Sequence, residues 1–109
     1  MRSINKEFKT YCGPLPLFLK AEAKAKEFGF SWTGGPPHLE GYGELAIYLE
    51  CNIHPDGHLV RRILYSSDNK MEHGYGIDFY FKEYTGGIEI PYNKFISMTK
   101  EEFENELCK

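Results

Sequence analysis

At 109 residues, with 41% hydrophobic and 27% charged residues, the chain has the make-up of one globular domain able to bury its own core. A formal charge of −3 and scattered basic residues argue against a phosphate-binding surface, and so against nucleic acid as the main partner. No apolar run nears the roughly 18–20 residues of a membrane span, no signal-peptide core is visible, and three unevenly spaced cysteines make no disulfide framework, so a cytoplasmic setting is expected.

Ile4 to Cys12 reads as a first strand, with Ile4, Phe8 and Cys12 on one side and Lys9 and Tyr11 on the other. Gly13-Pro14 ends it. Leu17 to Phe28 (LFLKAEAKAKEF) is rich in strong helix formers and places Phe18, Ala21, Ala25 and Phe28 on one stripe, and Gly29 suits a left-handed cap. Phe30-Ser31-Trp32 alternates as a short strand. Thr33 to Gly43, with four glycines and two prolines, reads as a loop.

The clearest pattern follows. Leu45, Ile47, Leu49, Cys51 and Ile53 alternate with Ala46, Tyr48, Glu50, Asn52 and His54, the period of a strand with one buried face. Pro55-Asp56-Gly57 suits a three-residue hairpin loop, which would set Ile53 beside Leu59, Leu49 beside Ile63 and Glu50 beside Arg62. Beyond a polar loop from Ser66 to Gly74, Ile77, Phe79 and Phe81 alternate again. Gly86-Gly87 then predicts a second hairpin, returning through Ile88, Ile90 and Tyr92 as an edge strand, because Pro91 lacks an N–H. Thr99 and Glu102 have capping-box spacing, flanked by Met98 and Phe103 as a hydrophobic staple, so Lys100 to Cys108 is expected to be a short helix. The order predicts a single α+β domain over residues 1–109. Its expected architecture is a mostly antiparallel sheet of about five or six strands, one long helix on one face and a short C-terminal helix.

This succession is similar to a broad set of small phage and prophage accessory proteins. The likeness is carried by the first strand, the Ala/Lys/Glu-rich helix ending in Gly29-Phe30-Ser31-Trp32, the glycine-rich loop, the aromatic-bearing strand into Pro55-Asp56-Gly57, and Glu89-Ile90 leading to Phe95-Ile96. The resemblance implies a protein made during infection that binds a host or phage component. It transfers no catalytic or binding residue, since the matched positions are caps, turns and core.

Chemistry-bearing residues are scattered. His38, His54, His58 and His73 suggest a metal, but Cys51 and His54 stand an odd number of residues apart on a strand and point to opposite faces. Only His54 and His58 become neighbours, whereas zinc takes three or four ligands, so no metal and no cofactor are expected. Neither a Cys–His pair, nor paired carboxylates, nor a phosphate-cradling glycine loop is recognisable, and the chain is expected not to be an enzyme. The face opposite the core mixes Tyr, Leu and Arg with charges, an interface composition. Tyr48, Glu50, Arg62, Leu64, Asp78, Tyr80 and Tyr84 are therefore the candidate partner-binding residues, for a host protein target or for a second copy in a homodimer. Coverage of that face by the chain's own loops or C-terminal helix is the competing reading. In the alternative function, a small molecule or nucleotide would bind under the glycine-rich loop, contacted by Trp32, His38, Tyr42 and Arg61.

Overall fold

A computed structural model describes residues 4–32, 35, 38–39, 43–67 and 87–107. Its elements are β1 (Ile4–Gly13), α1 (Leu15–Glu27), β2 (Ser31–Trp32), β3 (Leu45–Ile53), β4 (Leu59–Ser67), β5 (Ile88–Glu89), α2 (Tyr92–Ser97) and α3 (Lys100–Leu107). The strands form one sheet in the order β2-β4-β3-β1-β5. The predicted strand from Ile77 and the Gly86 turn position lie outside the described residues.

The hairpin at the centre follows from its loop. Gly57 takes φ +89°, its N–H donates to the His54 carbonyl, and the His54 N–H donates to the His58 carbonyl, each at 2.9 Å. The Asp56 carboxylate accepts the His58 N–H at 2.8 Å. This closure sets the pairs Ile53↔Leu59, Glu50↔Arg62 and Leu49↔Ile63, the register read from the sequence. Strand β1 lies antiparallel on the other side of β3, from Ile4↔Ile53 to Gly13↔Leu45, with an irregularity between Tyr11 and Gly13.

Two expectations are corrected. The sheet is mixed rather than mostly antiparallel: β2 runs parallel to β4 and β5 parallel to β1, each over a two-residue pairing. Both strands enter the sheet at its edges with the direction of their neighbours, one out of a helix cap and the other beside β1. Among the described residues the helical layer consists of three helices, not of one long helix with a short C-terminal one. Tyr92, expected on the return strand, instead begins α2, and Pro91 occupies its N-cap. A proline there fits because the first N–H groups of a helix have no intrahelical partner. The β5 ladder ends at Ile90, whose N–H donates to the Lys9 carbonyl at 2.9 Å.

The helix ends obey their local signals. Phe30 N–H donates to the Ala25 carbonyl and Gly29 N–H to the Lys26 carbonyl, both at 3.0 Å, and Gly29 has φ +91°: a Schellman termination. At α3, Thr99 N–H donates to Glu102 Oε1 at 3.0 Å and Glu102 N–H to Thr99 Oγ1 at 3.1 Å, the reciprocal capping box. Met98 and Phe103 are buried on either side of that cap.

One apolar cluster joins the inner sheet face to the helices. Phe8, Ile47, Leu49, Cys51 and Ile63 meet Phe18, Ala21 and Ala25 of α1, Phe95 of α2 and Phe103 of α3. The alanines let α1 pack close to the sheet. Phe103 is the hub: its ring stacks on Phe28 at 4.7 Å and meets Phe8 at 5.1 Å and Phe30 at 5.5 Å. Each buried phenylalanine contributes about 1.5–3 kcal/mol of transfer free energy.

Candidate functional site

The register of β1, β3 and β4 arranges the outer sheet face in rows. One row is Glu7, Glu50 and Arg62; the next is Lys9, Tyr48 and Leu64; the third is Tyr11, Ala46 and Ser66. The sequence-selected residues Glu50, Arg62, Leu64 and Tyr48 thus occupy adjacent rows. Asp78, Tyr80 and Tyr84 lie outside the described residues.

The first row is electrostatically closed. Arg62 Nη2 donates to Glu50 Oε1 at 2.5 Å and Arg62 Nε to the same oxygen at 3.2 Å, while Asn52 Nδ2 reaches it at 2.9 Å. The Arg62 hydrogen bonds hold the Glu50 carboxyl below its ordinary range, partly opposed by burial and reinforced by Asn52. The ion pair offsets the like charge of Glu7 opposite Glu50 and fixes two long side chains on the surface.

The second and third rows hold the apolar part. Leu64 is 40% exposed and Tyr11 38%, whereas Tyr48 is only 6% exposed and Ala46 and Ser66 are buried. Tyr48 was selected as an exposed contact; on the central strand, with Lys9 and Leu64 beside it, it forms the floor of this face instead. A small cleft here is lined by Glu7, Tyr48, Glu50, Leu64 and Gly87. Gly87 closes one side, and a Cβ at that position would stand 3.3 Å from the Glu7 carbonyl oxygen. Tyr11 is the member that the sequence reading missed. Its side of β1 was correctly assigned, but only the pairing of β1 with β3 brings it beside Ala46.

Two residues of the alternative pocket, Trp32 and Arg61, are tied into the fold. Trp32 Nε1 donates to Glu22 Oε2 at 2.5 Å, and the indole packs edge-on to Tyr65 and against Phe18. Arg61 points to the inner face, opposite to Arg62, with its side chain 12% exposed. Its Nη1 donates to the Phe28 carbonyl at 2.6 Å and to Glu104 Oε1 at 2.7 Å, and Nη2 donates to Glu104 Oε2 at 2.9 Å. The guanidinium also lies over the Phe30 ring, 5.6 Å from its centroid. It therefore locks the C-terminus of α1 to α3 and β4. An open groove is lined by Arg61, Glu104, Lys100, Leu59, Phe28 and Gly29, and Trp32 is not part of its wall. His38 is exposed beside buried Leu39, and Tyr42 lies outside the described residues.

Nucleophilic chemistry finds no ready group in the two described cysteines. Cys12 and Cys51 are buried, and burial pushes the Cys12 thiol up to about 12. Desolvation also raises Cys51, against the opposing influence of Arg61. Among the described residues no group of three or more His, Cys, Asp and Glu side chains could hold a metal ion, and no helix is long and apolar enough to cross a membrane.

Comparison with protein-family models, with curated proteins and with solved structures found no match to the chain.

Proposed function

We propose that the chain is a small non-enzymatic binding protein of phage type, which acts in the host cytoplasm by covering a functional surface of a host protein. A defence or regulatory protein is the sharpest form of that target. The observation that carries this reading is the outer sheet face: Leu64 and Tyr11 stand exposed over a Tyr48 floor, beside the fixed Glu50–Arg62 pair. Exposed apolar side chains framed by immobilised polar groups are the composition of an interface centre and its rim. The phage-type part of the reading comes from the sequence resemblance alone.

The test is affinity capture from a host lysate, followed by titration of the captured protein in pure form. Leu64→Glu and Arg62→Glu are the variants, because both side chains reach the surface and neither lies in the core. Tyr48→Ala would test packing rather than contact. Specific capture by wild type, reproduced with purified target and lost in Leu64→Glu, is the expected result. Equal affinity of wild type and both variants removes this face from the proposal.

A further inference from the structure

We propose that His54 and His58 form a binding site for one divalent transition-metal ion of the copper or nickel class, at the tip of the β3–β4 hairpin. The two imidazoles face one another across the loop with ring centroids 5.9 Å apart and planes inclined by 26°. Both residues are exposed. They also lie on the same sheet face, since Ile53 and Leu59, next to them in sequence and paired with each other, lie on the inner one.

Three features favour ligation over mere proximity. The first is that the backbone between the rings is fixed by the His54–His58 and Gly57–His54 hydrogen bonds and by the Asp56 carboxylate on the His58 N–H. Holding two ligands in place before binding removes much of the ordering cost. The second is reach: an ion needs about 2.0–2.1 Å to each nitrogen, and rings at this separation converge on it by turning about exposed side-chain bonds. The third is charge, because Asp56 adds a carboxylate to the same loop. Imidazole suits copper and nickel, and the order of affinity for nitrogen ligands places Cu²⁺ above Ni²⁺. With two protein nitrogens, water fills the remaining positions. Cys51, which the sequence spacing drew into the question, is buried on the inner face and takes no part. The tip is also separate from the proposed partner surface, with Leu64 about 20 Å further along β4.

The full chain would be titrated with Ni²⁺ and with Cu²⁺ by calorimetry, and the Cu²⁺ complex examined by proton NMR. The expected result is one ion per chain and Cu²⁺ broadening centred on residues 54–58. His54→Ala and His58→Ala should each weaken Ni²⁺ binding at least about tenfold, since loss of a direct ligand exceeds the 10- to 100-fold cost of disturbing an outer-shell partner. His38→Ala should leave affinity unchanged. All of these positions are surface residues, and amide exchange of β3 and β4 checks that each variant is folded. No saturation at millimolar Ni²⁺, unchanged affinity in both tip variants, or loss of binding in His38→Ala or His73→Ala would each overturn the assignment.

Discussion

Replacing Glu104 by glutamine keeps the shape of the Arg61 clamp and removes its negative charge. The guanidinium then retains the Phe28 carbonyl and one amide oxygen, but it stays largely buried without a counter-ion. Breaking a fully buried ion pair costs about 3–5 kcal/mol and an exposed one at most about 1 kcal/mol. Here Arg61 is 12% exposed and Glu104 38%, so screening on the carboxylate side discounts the buried value. About 2 kcal/mol is the resulting expectation at neutral pH. For a domain of this size, each kcal/mol moves the melting temperature by about 4 °C, so Glu104→Gln should melt about 8 °C lower. The pH dependence gives a second check. Hydrogen bonding to Arg61, more than its charge alone, lowers the Glu104 carboxyl below its ordinary range, against the opposing effect of burial. A depressed carboxylate contributes stability above its unfolded pKa and loses it as pH falls through the folded one. The gap between wild type and Glu104→Gln should therefore be full at neutral pH and shrink in acid, below the usual carboxylate range. Differential scanning calorimetry at several pH values measures both. A melting temperature unchanged at pH 7, or a gap that persists unaltered into acid, refutes the clamp. The double replacement Arg61→Met/Glu104→Leu should recover much of the loss, because it leaves no buried charge unpaired.

Three further outcomes follow from the packing. Gly29→Ala places a Cβ at φ +91°, where its nearest neighbours are Arg61 atoms at 3.6 and 3.8 Å, so backbone strain dominates and about 1–2 kcal/mol should be lost in urea unfolding. Phe103→Ala empties the hub of the aromatic cluster and should cost about 3–5 kcal/mol, enough to leave a domain of ordinary stability marginal by chemical denaturation. Cys12 and Cys51 should resist a thiol reagent in the native protein and react once it is unfolded; fast native labelling of either, read by mass spectrometry, would contradict their burial.

The elements legible in the sequence are those whose causes are local. Pro55-Asp56-Gly57 fixes a loop whose geometry fixes a register, and Thr99 with Glu102 and Gly29 with Phe30 are complete capping signals within a few residues. The parallel edges were not legible. A two-residue pairing such as Phe8 with Ile88 leaves no periodicity to detect, and nothing near Ser31 states which neighbour it joins. The second helix was missed because Ile88, Ile90 and Tyr92 alternate like a strand, and Pro91 suits an edge as well as an N-cap. For the candidate face, alternation assigned Glu50, Arg62 and Leu64 to the outer side correctly. It could not give Tyr48 its burial, because the face of a residue and its accessibility are separate properties. Arg61 and Arg62 show what alternation does deliver: neighbours in sequence, they answer Glu104 on one side of the sheet and Glu50 on the other.

The placement of β1 also sets a timetable for synthesis. This strand leaves the ribosome before every other described element, yet its partner β3 pairs it from Leu45 through Ile53, so Phe8 must remain without its native neighbours while α1 and the following segment are made. At about 5–20 residues per second, that wait lasts seconds, long compared with the microseconds in which a hairpin such as β3–β4 forms. The partner of β1 is thus complete before β4 exists, so β1 has β3 available first and the hairpin closes when β4 follows. The aromatic centre closes later still, when Phe103 arrives to meet Phe8, Phe28 and Phe30.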